Sequence, residues 1–529
     1  MIYLVSVPIP CSIDNSLSLH CLKDKNDVFI PFSYIKKQFD VTGREKDGKF
    51  EWQTSYAKMR LPDSNYNSSG QFGHFATYNV ETRERVKCIN PLTGVPMSTQ
   101  WDPTPYYYPI QIAQYGLQHY SRMITQVEKT TIHNVGENSK EWKGAPGFAE
   151  TTERIFFTGY DGSALVNIST DGNVANPGAY VGLSTDSLLT VISLSFLPHD
   201  NASFSILLSL TSTNQLILLH YIPQYDSSCV WSVDNEAEQL SFMYSLPYKE
   251  GEWISITRDI LVDASRALSS TLKGNKKANS ILRTGDISLH SVSFRGSLTI
   301  RQKIEQRNEM HKESFLAASN WFLLNQDQSG GWKVPVERRV AEGKVVLSPG
   351  WVSSMGQGHA LSLLSRAFLF TQDNRYLRSA EKALSLFTQN VTSGGVRNYF
   401  FSVPWYEEYP TTPGSFVLNG FLYSLIGLYD LSSVPPSSDS SSLSQSRSLF
   451  LEGLSSLRII LPLYDTGSGS TYDLRHFGLK TPPNLARWDY HAVHVYLLKW
   501  IVSITDDSYL DEVANRWIGY ANGKRAKHN

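Results

Sequence analysis

Three polar segments in the last third of the chain carry residue types that transfer protons. The first is WYEEYPTTP at 405–413. Thr412 followed by Pro413 is typical of a helix start, with Thr as the cap and Pro in the first turn. We therefore predict that Glu408 and Tyr409 lie on a loop before the positive end of a helix, where an anionic substrate is favoured. An acidic, aromatic surface turn is the structural alternative.

The expected helix and the next segment add groups that could hold a ligand. Asn419 and Tyr423 are one helical turn apart and would share a face, unless Asn419 is simply a satisfied core amide. The second segment, YDTGSGSTYDLRH at 464–476, is glycine-rich and contains Tyr472 and Arg475. Its glycines would let the backbone approach a ligand closely, although a helix-connecting turn explains them equally well. It lacks the lysine and the spacing of a P-loop.

The third segment is NLARWDYH at 484–491, in which Asp489 is predicted to cap the next helix. His491 and His494 are three positions apart. No carboxylate accompanies them at a metal-binding spacing, so the pattern does not predict a metal site.

A basic stripe is predicted near the start of the chain. Arg83, Arg85 and Lys87 would alternate onto one face of a strand that also carries Tyr78. Cations beside rings and amides suit a sulfated, carboxylated sugar chain, whereas solvated charge on an edge strand is the structural alternative. The amides and rings that follow are Gln100, Trp101, Tyr106, Tyr107, Tyr108, Gln111 and Gln114.

The elements that must position these residues change along the chain. A length of 529 residues predicts two or three domains. Short strands and hairpins are expected from about residue 26 to 126, for example at Val28–Tyr34 and Gln71–Lys87. Between about 127 and 300, the strand-like runs Leu188–Leu197, Ala202–Thr211 and Leu216–Ile222 favour an antiparallel sandwich or barrel.

From residue 311 onward the apolar period becomes helical. The predicted helices are 311–326, 356–371, 375–389, 414–430, 444–461, 490–505 and 508–520. We therefore predict a multidomain α and β protein: an N-terminal β-hairpin region (1–125), a middle antiparallel β-sandwich or barrel (126–302) and a C-terminal α/α domain, an incomplete toroid (303–529).

The composition limits which classes of molecule this chain is expected to bind. A net charge of −1 argues against bulk binding of nucleic acid or membrane, so a polyanion would need a local basic patch. The four cysteines are too few and too scattered to predict a disulfide scaffold or a zinc cluster. Four Asn-x-Ser/Thr sequences, at Asn67, Asn167, Asn201 and Asn390, make a secretory-pathway protein plausible.

These segments resemble the glucuronyl C5-epimerases of heparan sulfate biosynthesis. The resemblance rests on WYEEYPTTP (405–413), SFVLNGF (415–421), LYDTGSG (463–469), YDLRHF (472–477) and NLARWDYH (484–491), with YNVETRERVKC (78–88), STQWDPTPYYYPIQIAQYGL (98–117) and RAKHN (525–529). It implies a homodimer that converts D-glucuronate to L-iduronate in N-sulfated heparosan, a heparan sulfate chain. Other enzymes of that pathway would be possible partners.

The resemblance also implies roles for residues that match the family motifs. The catalytic group would be Glu408, Tyr409, Tyr472 and Tyr490. The substrate-binding group would be Tyr78, Arg83, Glu84, Arg85, Gln100, Tyr108, Gln111, Gln114, Arg339, Glu342, Asn419, Tyr423, Arg475, Asn484, Arg487, Trp488 and His491.

Location and cofactors follow from the same resemblance. Family members are anchored in the Golgi membrane with the enzyme on the lumenal side, and this chain would begin after any anchor. No nucleotide, metal or redox cofactor is expected for catalysis. A structural calcium ion in the middle domain is possible, with ligands that the sequence does not identify.

The expected chemistry is proton exchange at carbon 5. That hydrogen is α to a carboxylate and becomes acidic only when the carboxylate is neutralised, a task expected of Arg475 with Asn419. A base on one ring face and an acid on the other would complete the inversion. A uronate polysaccharide lyase begins with the same step, and a non-catalytic protein that binds sulfated glycans is the alternative from another class. A glycosidase is disfavoured because only the adjacent Glu407 accompanies Glu408.

Overall fold

A computed structural model describes residues 7–13, 17–39, 42–53, 59–134, 142–144, 153–158, 164–170, 179–224, 229–236, 239–246, 249–271, 281–435 and 441–527. The chain divides into two compact units. The first comprises residues 1–65, 460–476 and 482–529, and the second comprises residues 66–459 and 477–481. The division at 125 and 302 expected from the sequence stays a prediction.

The described strands are β1 (Val7–Ile13), β2 (Leu17–Asp24), β3 (Asp27–Phe29), β4 (Thr42–Lys46), β5 (Lys49–Gln53), β6 (Val86–Ile89), β7 (Pro96–Ser98), β8 (Tyr106–Tyr107), β9 (Thr130–Asn134), β10 (Trp142–Gly144), β11 (Glu153–Thr158), β12 (Ala164–Thr170), β13 (Ala179–Gly182), β14 (Val191–Leu210), β15 (Leu216–Ile222), β16 (Val230–Glu236), β17 (Gln239–Ser245), β18 (Ile254–Asp259), β19 (Ile287–Arg301), β20 (Lys303–Arg307), β21 (Arg338–Val340), β22 (Val345–Leu347), β23 (Arg397–Phe400) and β24 (Val403–Tyr406).

The described helices are α1 (Phe32–Phe39), α2 (Pro109–Met123), α3 (Ile260–Thr271), α4 (His311–Leu324), α5 (Ser354–Thr371), α6 (Asn374–Ala383), α7 (Ser385–Thr388), α8 (Leu418–Ser432), α9 (Ser441–Ile460), α10 (His476–Leu479), α11 (Trp488–Thr505) and α12 (Ser508–Ala521). The β-rich middle region and the helical C-terminal region are therefore confirmed.

The first unit contains small antiparallel sheets and two packed helices. Strands β1, β2 and β3 form a meander, and β4 pairs with β5 in a hairpin. Helices α11 and α12 pack together, with Trp517 of α12 fully buried against His491 and His494 of α11. This packing fixes the part of α11 that follows the NLARWDYH segment.

The β-rich region of the second unit is organised around β14. From Phe196 to its end this strand pairs with β19, whereas its first residues, 191–196, pair with β18. On the edge opposite β19, residues 204–209 pair with β15. Buried side chains such as Phe196, Phe204, Ile206 and Leu208 alternate with more exposed ones, as expected for a strand with one face in the core.

The sequence expectation of two strands separated by a turn at 198–201 is wrong, because β14 continues through this segment. The pairing with β19 shifts register around Pro198, Asp200 and Ser203. Asn201 has a φ of 48°, and Gly296 opposite it has a φ of 72°. A β-carbon on Gly296 would lie 2.3 Å from the Asn201 carbonyl oxygen. The turn-forming residues therefore make a bulge that the facing glycine accommodates.

Two helices lie where short strands were expected. The predicted strand Val28–Tyr34 ends at Phe29 in β3, and α1 follows. Helix α2 occupies 109–123 and is buried on nearly all sides, so its sequence shows no clear polar face. Gly116 lets it approach its neighbours, because a β-carbon there would lie 2.7 Å from Leu363 of α5 and 2.8 Å from Ala318 of α4.

Spacing alone pairs none of the four cysteines, yet all four are disulfide-bonded. Cys11 bonds Cys21 across the β1–β2 hairpin, and Cys88 bonds Cys229. The latter two are separated by 141 residues and meet only because β6 and the start of β16 converge in the fold.

Candidate active site

Glu407 and Glu408 are adjacent and both buried, but their carboxylates have different neighbours. The Glu407 carboxylate accepts hydrogen bonds from the side-chain amide of Asn398 and the backbone N–H of Phe416, both at 2.9 Å. It thereby ties the β23–β24 hairpin to the segment that leads into α8. Glu407 is a structural residue.

Glu408 instead packs against the first turn of α8. Asn419 donates from Nδ2 to Glu408 Oε2 at 3.5 Å. A β-carbon on Gly420 would lie 2.5 Å from the same oxygen, so the glycine permits this approach. The carboxylate is thus held at the positive end of a helix, as predicted.

The predicted helix start at Thr412–Pro413 is wrong, since α8 begins at Leu418 and the Thr412–Pro413 peptide is cis. Phe416 adopts a φ of 53°, in the left-handed region, while Glu407 holds its N–H. A helix cannot continue through that conformation, so the capping signal is overridden by tertiary contacts.

Tyr409 belongs to a group of rings around one guanidinium. The Arg338 Cζ lies 5.2 Å from the centre of the Tyr409 ring and 4.8 Å from that of Trp101. Trp351 closes the group, with ring centres 5.8 Å from Tyr409 and 5.9 Å from Trp101. Tyr108 packs edge-on against Trp101 at 5.1 Å.

Two tyrosines beside this group are held in the neutral form. Burial raises the pKa of Tyr108 well above its ordinary value, and the nearby Tyr409 and Glu408 raise it further. Burial also raises the pKa of Tyr106 to about 12, against the lowering effect of the nearby Ser98 hydroxyl. Neither phenol is suited to act as a base near neutral pH.

Arg339 and Glu342, two of the predicted substrate-binding residues, lie on the β21–β22 hairpin. Arg339 is exposed, with 74% of its side chain accessible, and pairs with Glu337 at 2.8 Å. Its neighbour Arg338 points to the opposite face of the strand, toward Tyr409. Sequence reasoning therefore missed Arg338, although strand alternation at the Arg-Arg pair signals that one of them faces inward.

Two predicted substrate-binding amides are buried with an unused acceptor. Among the described residues, Asn419 Oδ1 and Gln111 Oε1 have no hydrogen-bond partner. Tyr423, one turn beyond Asn419, is also buried and lies 4.4 Å from the His359 ring and 6.2 Å from Phe72, centre to centre. Asn419 and Tyr423 thus share a face of α8, as predicted.

The basic stripe is not a strand face. Residues 80–82 form a single helical turn and β6 begins only at Val86, which leaves Arg83, Glu84 and Arg85 exposed in the connection. Arg266 fixes this shape by donating to the carbonyls of Thr82, Arg83 and Val86.

Two of the residues predicted to bind substrate contact the first arginine of this stripe. Arg83 donates to Gln114 Oε1 at 2.8 Å and lies 5.3 Å from the centre of the Tyr78 ring. Gln100 is half-buried.

In the first unit, Tyr472 and Tyr490 form an edge-to-face pair with ring centres 4.8 Å apart. Tyr490 lies in the first turn of α11 and is 41% exposed. Arg487, and not the predicted Asp489, occupies the cap position, and Asp489 falls in the first helical turn. Tyr472 is held by its N–H, which donates to the Asn484 carbonyl at 2.7 Å.

Arg475 is half-buried beside Asp473, with 3.6 Å between Nε and Oδ1. Asn484 donates to the other carboxylate oxygen at 2.8 Å. Burial raises the pKa of Asp473, although the Asn484 hydrogen bond and the Arg475 charge oppose that effect.

His491 is buried and both of its ring nitrogens have partners. Nδ1 lies 2.9 Å from Ser470 Oγ, and Nε2 lies 3.0 Å from the Trp517 carbonyl oxygen. Burial lowers its pKa, so the ring stays neutral. Arg487 is exposed, and the Trp488 side chain lies outside the described residues.

The predicted site residues therefore form two groups, one within each unit. The group in the second unit is Tyr78, Arg83, Glu84, Arg85, Gln100, Tyr108, Gln111, Gln114, Arg339, Glu342, Glu408, Tyr409, Asn419 and Tyr423. The group in the first unit is Tyr472, Arg475, Asn484, Arg487, Trp488, Tyr490 and His491.

Neither a metal cluster nor a membrane span is found in the part of the chain that the structure describes. There, no three His, Cys, Asp or Glu side chains come together in a way that could hold a metal ion. None of the described helices is long and apolar enough to cross a membrane.

Two family models match the chain. Residues 326–519 match the D-glucuronyl C5-epimerase C-terminus, and residues 162–297 match the D-glucuronyl C5-epimerase β-sandwich domain. The second match identifies the β-rich region around β14 as similar to a sandwich.

Among curated proteins, a D-glucuronyl C5-epimerase of Caenorhabditis elegans is 53% identical over 99% of this chain and 90% of its own length. An uncharacterized protein of Methanocaldococcus jannaschii is 29% identical over 32% of this chain and 53% of its own length. Among solved structures, a rhamnosidase from Klebsiella oxytoca with rhamnose bound covers 78% of this chain and 71% of its own, at 10% identity and a TM-score of 0.21. That score supports no argument about fold.

Proposed function

Since this chain belongs to the D-glucuronyl C5-epimerase family and is an epimerase, an isomerase acting at carbon 5 of D-glucuronyl residues, we propose that it forms L-iduronyl residues within N-sulfated heparosan. The structural observation that best supports a sugar site is the buried acceptor of Asn419, which has no partner among the described residues although the same side chain contacts Glu408. Gln111 has a buried acceptor of the same kind. Sugar hydroxyls are the donors that such amide oxygens would accept.

The hydrogen on carbon 5 becomes acidic only when a cation neutralises the uronate carboxylate. Arg475 is proposed for this task, because its only nearby carboxylate among the described residues, Asp473, is shared with Asn484. Pairing with a guanidinium would withdraw charge from the carboxylate and so stabilise the carbanion-like transition state.

Proton removal and return are assigned to Glu408, Tyr409, Tyr472 and Tyr490. The inversion needs a base on one face of the sugar ring and an acid on the other. Glu408 is fixed at the start of α8, and the Tyr472–Tyr490 pair is fixed by the backbone bond between Tyr472 and Asn484. Each group can therefore keep a constant orientation through the reaction.

Arg83, Arg85 and the amides near them are proposed to bind further sugar units. Two exposed cations in one turn, with the Gln114 amide beside them, fit the sulfate and carboxylate groups of the chain.

Analysis of products tests the proposal. After incubation with N-sulfated heparosan, NMR of the uronates should detect both glucuronate and iduronate, and absorbance should detect no unsaturated chain ends. Unsaturated ends would show a lyase instead. Binding of the chain with neither product would show a glycan-binding protein.

Further properties are proposed on the family relationship alone. They are homodimerisation, contact with other heparan sulfate biosynthetic enzymes, a lumenal position at the Golgi membrane, an incomplete toroid of the C-terminal helices, and a structural calcium ion in the β-sandwich region. Light scattering measures the first, and a fall in Tm on calcium chelation would support the last.

A further inference from the structure

Arg338 occupies an unusual environment for a cation. Its guanidinium lies against Tyr409 and Trp101, and Trp351 packs against both of those rings. No Asp or Glu carboxylate forms an ion pair with it among the described residues, and its buried Nε has no hydrogen-bond partner there. A half-buried charge without a counter-ion is costly unless an anion is present at some stage of function.

We propose that Arg338 is a positioning residue that fixes the Tyr409 ring and favours its phenolate during proton transfer at carbon 5. This inference rests on the proposed function, because it assumes that Tyr409 exchanges the proton. An opposite charge about 5 Å away stabilises the anionic form of a phenol, and the flat guanidinium also limits rotation of the ring that it covers.

Tyr409 is as buried as Tyr106 and Tyr108, so its ring contact with the guanidinium is what distinguishes it from them. Tyr106 and Tyr108 also feel the Arg338 charge, but burial dominates and keeps their pKa values high. Tyr409 contacts the guanidinium through its ring and follows Glu408 directly in the chain. The same cation therefore acts beside three phenols, of which two are restrained as neutral groups.

Lys344, in the loop of the same hairpin, supplies a matched control. Its side chain is exposed, and it belongs to neither the catalytic nor the substrate-binding group. Lys344→Leu removes one positive charge from the hairpin, as Arg338→Leu does, but it leaves the contact between Arg338 and Tyr409 intact.

The test compares Arg338→Leu, Arg338→Lys and Lys344→Leu in the full chain, with C5 exchange on N-sulfated heparosan as the assay. Arg338→Leu should lower kcat by about 100-fold with little change in KM, since a displaced catalytic group costs about that factor. The acidic limb of its pH–rate profile should move to higher pH. Arg338→Lys should recover part of kcat, and Lys344→Leu should match the wild type.

A merely structural role for Arg338 would have a different result. Arg338→Leu would then lower Tm while the folded fraction kept the wild-type kcat and pH profile, and this outcome would overturn the inference. Should Arg338→Leu fail to fold, a wild-type kcat and pH profile in the folded, neutral variant Arg338→Gln would overturn it equally. Absence of exchange in the wild type would instead refute the proposed function, so the two failures can be told apart.

Discussion

Two buried polar regions of the second unit differ in how fully their atoms are used. At Arg366 and Asp430, both side chains are inaccessible and their ion pair measures 2.7 Å. Tyr66 donates to both Asp430 oxygens, and Arg366 also donates to the carbonyls of Asn67, Gly70 and Ser362. Around Glu408, by contrast, Asn419 keeps an acceptor with no partner among the described residues, and within the same part of the chain Arg338, beside Tyr409, has no carboxylate partner.

This difference distinguishes polar groups that stabilise the fold from polar groups that are available to bind a ligand. A saturated cluster can only stabilise the fold, since no atom remains to bind a ligand. Unused buried atoms lower stability, so they persist where a ligand completes them. The Arg366 cluster fixes residues 66–70 to α5 and α8, while the Glu408 region is completed by substrate under our proposal.

The largest expected effect on kcat is that of a change in the first unit. Tyr490→Phe keeps the ring that packs on Tyr472 and removes only the hydroxyl. If that phenol transfers a proton, kcat should fall by about two to four orders of magnitude, with Tm and substrate binding nearly unchanged. Near-normal exchange together with a lower Tm would make the hydroxyl structural.

Breaking the saturated cluster should affect stability alone. Asp430→Ala leaves Arg366 buried without its partner, which should lower the free energy of unfolding by about 3–5 kcal/mol. Denaturant titration measures this loss, and the kcat of the folded fraction should stay normal. A loss of kcat greater than the loss of folded protein would break the distinction between the two regions.

Asn419→Leu should instead affect substrate binding more than stability. Among the described residues its Oδ1 has no partner, and the change removes the long 3.5 Å hydrogen bond from Nδ2 to Glu408, so the unfolding free energy should fall by only about 1 kcal/mol. KM should rise about tenfold if a sugar hydroxyl normally occupies that acceptor. Unchanged KM with a large loss of stability would return Asn419 to the structural class.

The smallest effect concerns exposed charge. The double change Arg83→Ala and Arg85→Ala should raise KM by a few-fold, about what exposed ion pairs contribute, and the difference should shrink as salt is added. Salt-independent KM values would identify these arginines as solvated surface charge.

Much of the architecture could be predicted because local patterns and burial agree. Strand β15 and helices α5, α9, α11 and α12 lie within a few residues of their predicted bounds. In these segments apolar residues recur at the spacing of the element, so the element type can be recognised. Helix α2 was missed because its segment is rich in Tyr, Gln, Pro and Gly, and its Gly116 serves packing that no local pattern reveals.

The sequence predicted which segments carry the site residues, but it did not predict how those residues are arranged in space. The position of Glu408 before α8 and the shared face of Asn419 and Tyr423 followed from spacing. The inward direction of Arg338, the structural role of Glu407 and the left-handed Phe416 depend on contacts between distant segments. Sequence spacing does not encode those contacts.

The central claim, that Glu408 serves chemistry while its neighbour Glu407 serves the fold, is tested by C5 exchange. Wild type, Glu408→Gln and Glu407→Gln are incubated with N-sulfated heparosan in deuterated water, and deuterium at carbon 5 is measured by NMR. We expect rapid labelling by the wild type and a loss of about 100-fold or more per folded molecule for Glu408→Gln. Glu407→Gln should be less stable but label normally once corrected for its folded fraction. Equal labelling by Glu408→Gln and the wild type would contradict the account.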